Sequence, residues 1–366
     1  MMAKLSDVCI KGTSNIAQKD LEFRNGCYPI YGASGFIKNV DFYHQEKPYI
    51  AVVKDGAGVG RVMKLPAKSS VIGTMQYIIP NDGVCVEYLS YALEHMNLSK
   101  YYLGAAIPHI YFKDYCNESL PNHTEAQQIF IAKILGFVGN LISLRKQQLA
   151  KLDELVKARF VELFGTLNDN EKGLDIVSIE ELCTLIKDGT HQTPTYTEDK
   201  QNGFKFLSSK DVMTQKICWD DIKYIPAELH EKLYATIQPQ RNDILMSKNG
   251  VNYGVAAVND TDEVFDIYVS LALLRPRTDM VNPVYLRCAI NNPDTKRQFD
   301  SSIKGIGVPN LHLGEIKKTN VLLPPIDKQN EFVAFVEQTD KSKFEIQKSL
   351  EKLETLKKAL MQKYFG

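Results

Sequence analysis

Three glycine-bearing stretches carry the side chains best suited to chemistry. Lys54-Asp-Gly56-Ala-Gly58-Val-Gly60-Arg61 follows the β-branched run Tyr49-Ile-Ala-Val-Val53. Its glycine spacing imitates a dinucleotide loop, which must open a helix beneath the pyrophosphate. Here Val62-Met-Lys-Leu65 runs straight into Pro66, so a strand cut short by proline is expected instead. The reading that fits is a hairpin tip whose glycines let the backbone approach another surface closely, with Lys54, Arg61 and Lys248 nearby. The related stretch Lys248-Asn249-Gly250-Val-Asn-Tyr-Gly254 lacks the middle glycine. A third stretch, Asp188-Gly-Thr190-His191-Gln192-Thr-Pro194, is a loop whose Thr190, His191 and Gln192 suit base edges or phosphates. A capped turn with a solvated histidine accounts for the same residues without a ligand. His109 and Asn310 follow Pro108 and Pro309 in like positions, which assigns them a shared backbone role before any contact.

No enzyme signature accompanies these loops. The chain has no Walker phosphate loop, no His-Glu-x-x-His zinc helix and no Gly-x-Ser-x-Gly nucleophile turn. Asn282-Pro283-Val284 and Asn292-Pro293-Asp294 lack the second proline and the aromatic with which amino-methyltransferases hold a target base. No catalytic residue, cofactor or metal is therefore expected. The seven cysteines include no Cys-x-x-Cys pair and read as reduced, mostly buried small hydrophobes. No apolar run of membrane-span length stands out and no signal peptide opens the chain, so a cytoplasmic protein without a membrane partner is expected.

These loops sit in a chain that says everything twice. Cys183 answers Cys9 at an offset of 174, Lys248-Asn249-Gly250 answers Lys54-Asp55-Gly56 at 194, Pro276 answers Pro80 at 196, and Tyr285-Leu286 answers Tyr88-Leu89 at 197. Gly305–Leu311 answers Gly104–Ile110 at 201. A monotonic offset is the mark of a duplicated unit that gained loop residues. Each unit ends in a long amphipathic stretch that opens on Leu-Pro (120–121, 323–324), carries a glutamine (Gln127, Gln329) and closes on Phe-Gly (164–165, 365–366). Steps of three and four pick out Ile131, Ile134, Val138, Leu141, Arg145, Gln148, Leu152, Leu155 and Arg159 in the first. In the second they pick out Phe332, Phe335, Thr339, Ser342, Ile346, Ser349, Leu353, Leu356 and Leu360. Six of nine are apolar in each, the seam of a helix that needs a partner helix. Two helices of about 33 residues, roughly 50 Å at 1.5 Å per residue, supply each other's partner.

The expected fold is α+β. Two strand-rich mixed domains, residues 1–118 and 166–321, alternate with long helices in 119–165 and 322–366. The helices form an antiparallel coiled coil about an internal pseudo-two-fold axis. Charge qualifies the nucleic-acid reading. Residues 1–118 hold 12 Lys and Arg against 11 Asp and Glu, and residues 166–321 hold 18 against 22. Phosphate neutralisation dominates DNA affinity, so this balance calls for basic residues gathered on one face or supplied by a partner.

This organisation resembles the specificity (S) subunit of type I restriction–modification systems. The resemblance covers essentially the whole chain and rests on the repeated module, on Leu323-Pro-Pro-Ile-Asp-Lys-Gln329 and 346–363, on 305–309, and on 188–194 with Phe206-Leu207 and Lys210-Asp211-Val212. It implies that each globular domain is a target recognition domain reading one half of a bipartite double-stranded DNA site. The helices would set the spacer and dock methyltransferase (M) subunits, two of them, with restriction (R) subunits joining for cleavage. Two departures stand out: a first domain nearly 40 residues shorter than the second, and an extra residue between Pro121 and Gln127. A non-catalytic coiled-coil adaptor joining two protein-binding domains is the alternative.

Overall fold

The computed structural model describes residues 2–102, 108–303 and 309–366. The chain divides into two compact units, Met1–Gln148 with Ile346–Gly366, and Leu149–Glu345. The first contains β1 (Met2–Lys4), α1 (Leu5–Val8), β2 (Cys9–Thr13), β3 (Tyr28–Gly32), β4 (Gly35–Val40), β5 (Tyr49–Val53) and β6 (Val62–Leu65). β7 (Ser70–Val71), β8 (Met75–Pro80), α2 (Val86–Met96), α3 (Phe112–Tyr115) and β9 (Ser119–Pro121) then lead into the long helix α4 (Glu125–Phe164). Its sheets are β2-β8-β5-β6, β4-β3-β7 and β1-β9. All pairs are antiparallel except β3 with β7.

The second unit repeats this plan. It holds β10 (Asp175–Ser178), β11 (Cys183–Asp188), β12 (Phe204–Leu207), β13 (Lys223–Ile225), α5 (Ala227–Tyr234), β14 (Ile244–Ser247) and β15 (Ala256–Val258). β16 (Phe265–Ile267), β17 (Leu271–Pro276), α6 (Pro283–Ile290), α7 (Pro293–Ser302), α8 (Leu313–Lys318) and β18 (Asn320–Leu323) precede the second long helix, α9 (Ile326–Phe365). The sheets are β11-β17-β14-β15, β13-β12-β16 and β10-β18, again with one parallel pair, β12 with β16. Strand for strand this is the first unit's topology. The surplus residues lie mainly between β12 and β13 and around α5, which has no helical counterpart between β4 and β5.

β5 shows why the centre of each unit is so apolar. All five of its residues are buried. Ile50 and Val52 face Tyr88, Leu89 and Leu93 of α2, while Tyr49, Ala51 and Val53 join Leu65, Met75 and Tyr77 on the other side. A strand covered on both faces reads as a continuous apolar run, as this one does. The run Val71–Ile79, by contrast, is not one strand. It breaks at Gly73-Thr74, so that β7 and β8 join different sheets.

The two long helices have 40 residues each, seven more than expected. In the first unit Lys146 pairs with Glu354 at 2.9 Å. In the second, Asp153 pairs with Lys343 at 2.5 Å and Arg159 with Glu331 at 3.7 Å. In the second unit the numbers that rise on α4 fall on α9, so the helices run antiparallel there. Burial corrects the seam. Ile131, Val138, Arg145, Leu152 and Arg159 keep their places, as do Phe332, Thr339, Ile346, Leu353 and Leu360, but the alternate positions lie one residue later than expected. Leu135, Ile142, Leu149 and Val156 occupy them on α4, and Val336, Lys343, Leu350 and Lys357 on α9. Gln148, Leu155, Ser342 and Leu356 are exposed instead; Ile134, Leu141, Phe335 and Ser349 are half-buried at the margin. The apolar surface of α4 is wider than its seam, and this pulled the sequence phase sideways.

The Leu-Pro and glutamine matches also need correction. Tyr88 Oη donates to Pro121 O at 2.8 Å, and Tyr285 Oη donates to Leu322 O at 2.7 Å, so Pro121 is the counterpart of Leu322, not of Pro324. The glutamine equivalent to Gln329 is Gln128, at the same offset of 201. Gln128 Oε1 accepts from Cys85 N at 2.9 Å and Gln329 Oε1 from Asn282 N at 2.8 Å, each tying a long helix to the start of α2 or α6. Gln127 instead accepts from Thr124 N at 2.9 Å and closes a capping box on α4. The opening therefore holds no extra residue.

All seven cysteines are free thiols. Only Cys9 and Cys183 are buried, while Cys27 and Cys218 are exposed, so the expectation of mostly buried thiols holds for the equivalent pair alone. Among the described residues one helix, α4, is long and apolar enough to cross a membrane by length and composition, a feature the sequence reading passed over.

Candidate nucleic-acid interface

Each unit carries the same backbone construction at one end of its four-stranded sheet. In the first, β5 and β6 are joined by the tip 54–61. Lys54 N donates to Thr74 O (3.0 Å), Ile110 N donates to Lys54 O (3.0 Å), and Gly56 N donates to Pro108 O (3.0 Å). In the second, β14 and β15 are joined by 248–255. Lys248 N donates to Ser270 O (2.9 Å), Leu311 N to Lys248 O (2.9 Å), and Gly250 N to Pro309 O (3.0 Å). Asp55 bridges His109 and Asn249 bridges Asn310 in consequence. The shared backbone role expected for His109 and Asn310 is what the chain contains. The stretches 103–107 and 304–308 just before them, including most of the Gly104–Ile110 and Gly305–Leu311 match, lie outside the described residues.

The glycines explain themselves here. Gly60 and Gly254 have φ of +83° and +86°, and a Cβ on Gly60 would stand 2.4 Å from Ser99 N. Gly58 has an ordinary φ and room for a side chain, so its counterpart Asn252 costs the second tip nothing. With β6 following, this is a hairpin tip and no helix starts from it.

Side chains then make the two tips different. In the first, Asp55 bonds the Nδ1 of His109, whose ring lies 4.1 Å from that of Tyr111. Lys113 Nζ sits 5.2 Å from the Tyr111 ring centre, a cation–π distance. Arg61 is exposed and donates to Ala33 O at 2.9 Å. Among the described residues Lys54, Arg61 and Lys113 pair with no carboxylate, so the first tip is cationic and aromatic.

The second tip is closer to neutral. Lys248 is 4% exposed and ion-paired with Asp188, which contradicts its assignment as a solvent-facing cation. Burial strips water from an ammonium, and only a facing carboxylate makes that tolerable. Asp188 also lies 3.6 Å from His191 Nε2. Thr190 is fixed by bonds from its N to Ile267 O (3.0 Å) and from Val269 N to its O (3.0 Å). Its hydroxyl accepts from Gln192 N at 3.1 Å. His191, Gln192 and Asn310 are exposed, and Asn249 is half-buried. The structure thus gathers Thr190, His191, Lys248, Asn249 and Asn310 at one end of the second unit, and Lys54, Arg61 and His109 at the matching end of the first. A cavity of 410 Å³ adjoins the second tip, lined by Thr190, His191, Leu233, Ile237 and Asp266 among others. Asp266 is buried against His230 (2.6 Å), and burial raises its carboxyl above the usual range. Tyr111 and Lys113 were missed in the sequence, although the aromatic-basic run Tyr111-Phe-Lys113 directly after His109 was there to find. Among the described residues no cluster of His, Cys, Asp or Glu is built to hold a metal.

The family model of the type I restriction modification DNA specificity domain matches this chain twice, over residues 1–154 and 171–358. The chain belongs to that family. Among specificity subunits, MjaVIII of Methanocaldococcus jannaschii is 23% identical over 381 residues, covering 96% of this chain and 88% of the relative. MjaIX of the same organism is 22% identical, covering 78% and 69%. The crystal structure of the type I restriction–modification S subunit from M. genitalium superimposes with a TM-score of 0.63 at 15% identity, covering 100% of this chain and 96% of that one. A structure concerned with complex assembly and conformational transition of the type I restriction–modification system gives 0.53 at 16% identity, covering 100% and 97%. As a type I specificity subunit the chain is a DNA-recognition component without catalysis of its own.

Proposed function

We propose that the two sheet-end tips read the two halves of a bipartite DNA target. In this reading, residues 1–118 and 166–321 are the target recognition domains, and α4 with α9 sets the non-specific spacer between the half-sites. Two methyltransferase subunits dock on the helices, and restriction subunits join the assembly in the cytoplasm. The observation that carries the reading is the duplicated tip: three equivalent backbone bonds hold it, yet the side chains it presents differ between the units. Such an arrangement suits a scaffold kept for docking and loops varied for base readout.

The first tip contributes Lys54, Arg61 and Lys113 to phosphates, with His109 and Tyr111 beside them. The second contributes Thr190, His191, Gln192, Asn249 and Asn310, chiefly hydrogen-bonding groups suited to base edges. Lys248 acts from behind, holding Asp188 and the loop that carries His191. Phosphate contacts from the methyltransferase supply the basic surface that the second domain lacks. Single-molecule sequencing of DNA methylated by the assembled complex tests this. Replacing residues 1–118 with another such domain is expected to change one half-site and leave the other and the spacer intact. Methylation unaffected by deleting this chain would overturn the reading.

A further inference from the structure

The apolar surface of α4 does not stop at its seam. Successive steps of three residues turn about 60° around an α-helix. From the buried Ile131 and Val138 the surface passes through half-buried Ile134 and Leu141 to Phe137 and Leu144, with Phe130 on the same outer stripe. Phe130, Phe137 and Leu144 are 59%, 65% and 54% exposed at intervals of seven residues. This unused stripe is why α4 alone has the composition of a membrane span. The second helix has no such stripe. At the offset of 201, Phe130, Phe137 and Leu144 become Glu331, Gln338 and Glu345. α9 exposes Phe344 and Leu356, but a separation of twelve residues puts them about 120° apart.

We propose that this stripe is a second seam for one amphipathic helix of a methyltransferase subunit, and that its loss from α9 makes the two methyltransferase sites unequal. The proposal rests on the reading that methyltransferase subunits dock on the helices. A row of large apolar side chains at seven-residue spacing fits a helix better than a loop or a flat surface. Charge selects the partner. From Ala126 to Leu152 α4 has no carboxylate, whereas Lys133 and Lys151 are exposed beside the stripe. A second copy of α4 would set lysines against lysines, while a partner helix with acidic flanks meets attraction along its length. A lipid surface is the less suitable occupant, because the opposite side of the helix is engaged: Ile131, Leu135 and Val138 are buried in the first unit. At the corresponding place on α9 the same partner helix would meet Glu331 and Glu345, like charges facing its own acidic flanks.

The test titrates the full chain with the purified methyltransferase subunit of the same system, followed by native mass spectrometry and sedimentation velocity. Two binding steps are expected, the first at least tenfold tighter. Phe137→Glu with Leu144→Glu weakens the tighter step at least tenfold and brings the two together, while unchanged circular dichroism shows that the fold survives. Transplanting the stripe, Glu331→Phe with Gln338→Phe and Glu345→Leu, strengthens the weaker step. Equal steps in the wild type, or a first step indifferent to the α4 pair, would overturn the inference and leave methyltransferase docking standing. So would self-association or binding to phosphatidylcholine–phosphatidylglycerol vesicles that the α4 substitutions abolish. A wild-type chain that binds no methyltransferase subunit would remove the docking reading, and this inference with it.

Discussion

Gln329 is fully buried at the start of α9, and its amide makes three hydrogen bonds. Oε1 accepts from Asn282 N at 2.8 Å, and Nε2 donates to Pro324 O at 2.9 Å and Met280 O at 3.2 Å. Gln329→Ala therefore strands the partly buried Asn282 N–H and removes two donors from carbonyls. An unsatisfied buried donor costs about 1–3 kcal/mol, and each further bond contributes about 0.5–1.5 kcal/mol. The sum is a loss of about 2–6 kcal/mol in the second unit. Gln128, with two bonds, to Cys85 N and His123 O, loses about 1.5–4.5 kcal/mol on the same reckoning, and loses it in the first unit. Gln127 is exposed, and removing its share of the capping box costs about 0.5–1 kcal/mol. Urea unfolding combined with amide hydrogen exchange read separately at α2 and α6 distinguishes the three, since a chain of two units need not unfold in one step. If Gln329→Ala cost under 1 kcal/mol, or Gln127→Ala matched Gln128→Ala, the anchoring role and the equivalence of Gln128 with Gln329 would both be refuted.

The corrected seam gives a second test: Leu350→Ala, at a buried position, is expected to cost about 2–5 kcal/mol, and Leu356→Ala, at an exposed one, under about 0.5 kcal/mol, as read by thermal unfolding. Lys248→Met leaves the half-buried Asp188 without its lysine and is expected to destabilise the second unit by about 1–3 kcal/mol, with Asp188→Asn restoring part of the loss in a double-mutant cycle. Arg61→Ala with Lys113→Ala should weaken DNA retention by the assembled complex and lower the steepness of its salt dependence by up to about two phosphate contacts, without altering the methylated sequence. Burial pushes the Cys9 and Cys183 thiols up to about 12 from their ordinary value of 9.0. The unfolded chain therefore releases these protons first, so both thiols erode stability as pH rises from about 9. At pH 8, a thiol reagent should modify Cys27 and Cys218 while sparing Cys9 and Cys183 until the chain unfolds, as mass spectrometry of the peptides would reveal.

The duplication, the two long helices and the hairpin at 54–61 were legible because each is written as spacing, and spacing survives when side chains change. What was not legible depended on which side of an element faces the rest of the molecule. A helix that is apolar over more than its seam, as α4 is through Ile134, Phe137 and Leu141, has no unique phase until burial assigns one. The Leu-Pro dipeptides matched by identity and misled by two residues, because strand register follows the hydrogen bonds of Tyr88 and Tyr285. Lys248 looked like Lys54 in the repeat. Its burial depends on Asp188, sixty residues earlier, and no local pattern announces that pair. Tyr111 and Lys113 were within reach, and counting aromatics beside cations would have found them.

The way the long helices are shared between units bears on how the protein is made. Phe365 packs against Tyr88 at 5.1 Å, and Leu360 and Met361 border the same core, so the first unit includes residues encoded more than 250 codons after that tyrosine. The second unit, Leu149–Glu345, is contiguous. During synthesis at roughly 5–20 residues per second, the amino-terminal unit waits with an open apolar face, while the later-made unit can close first. Folding order is thus expected to run opposite to translation order. A ribosome stalled before Ile346 would release a chain whose finished part lies downstream and whose exposed, aggregation-prone part is the one made first.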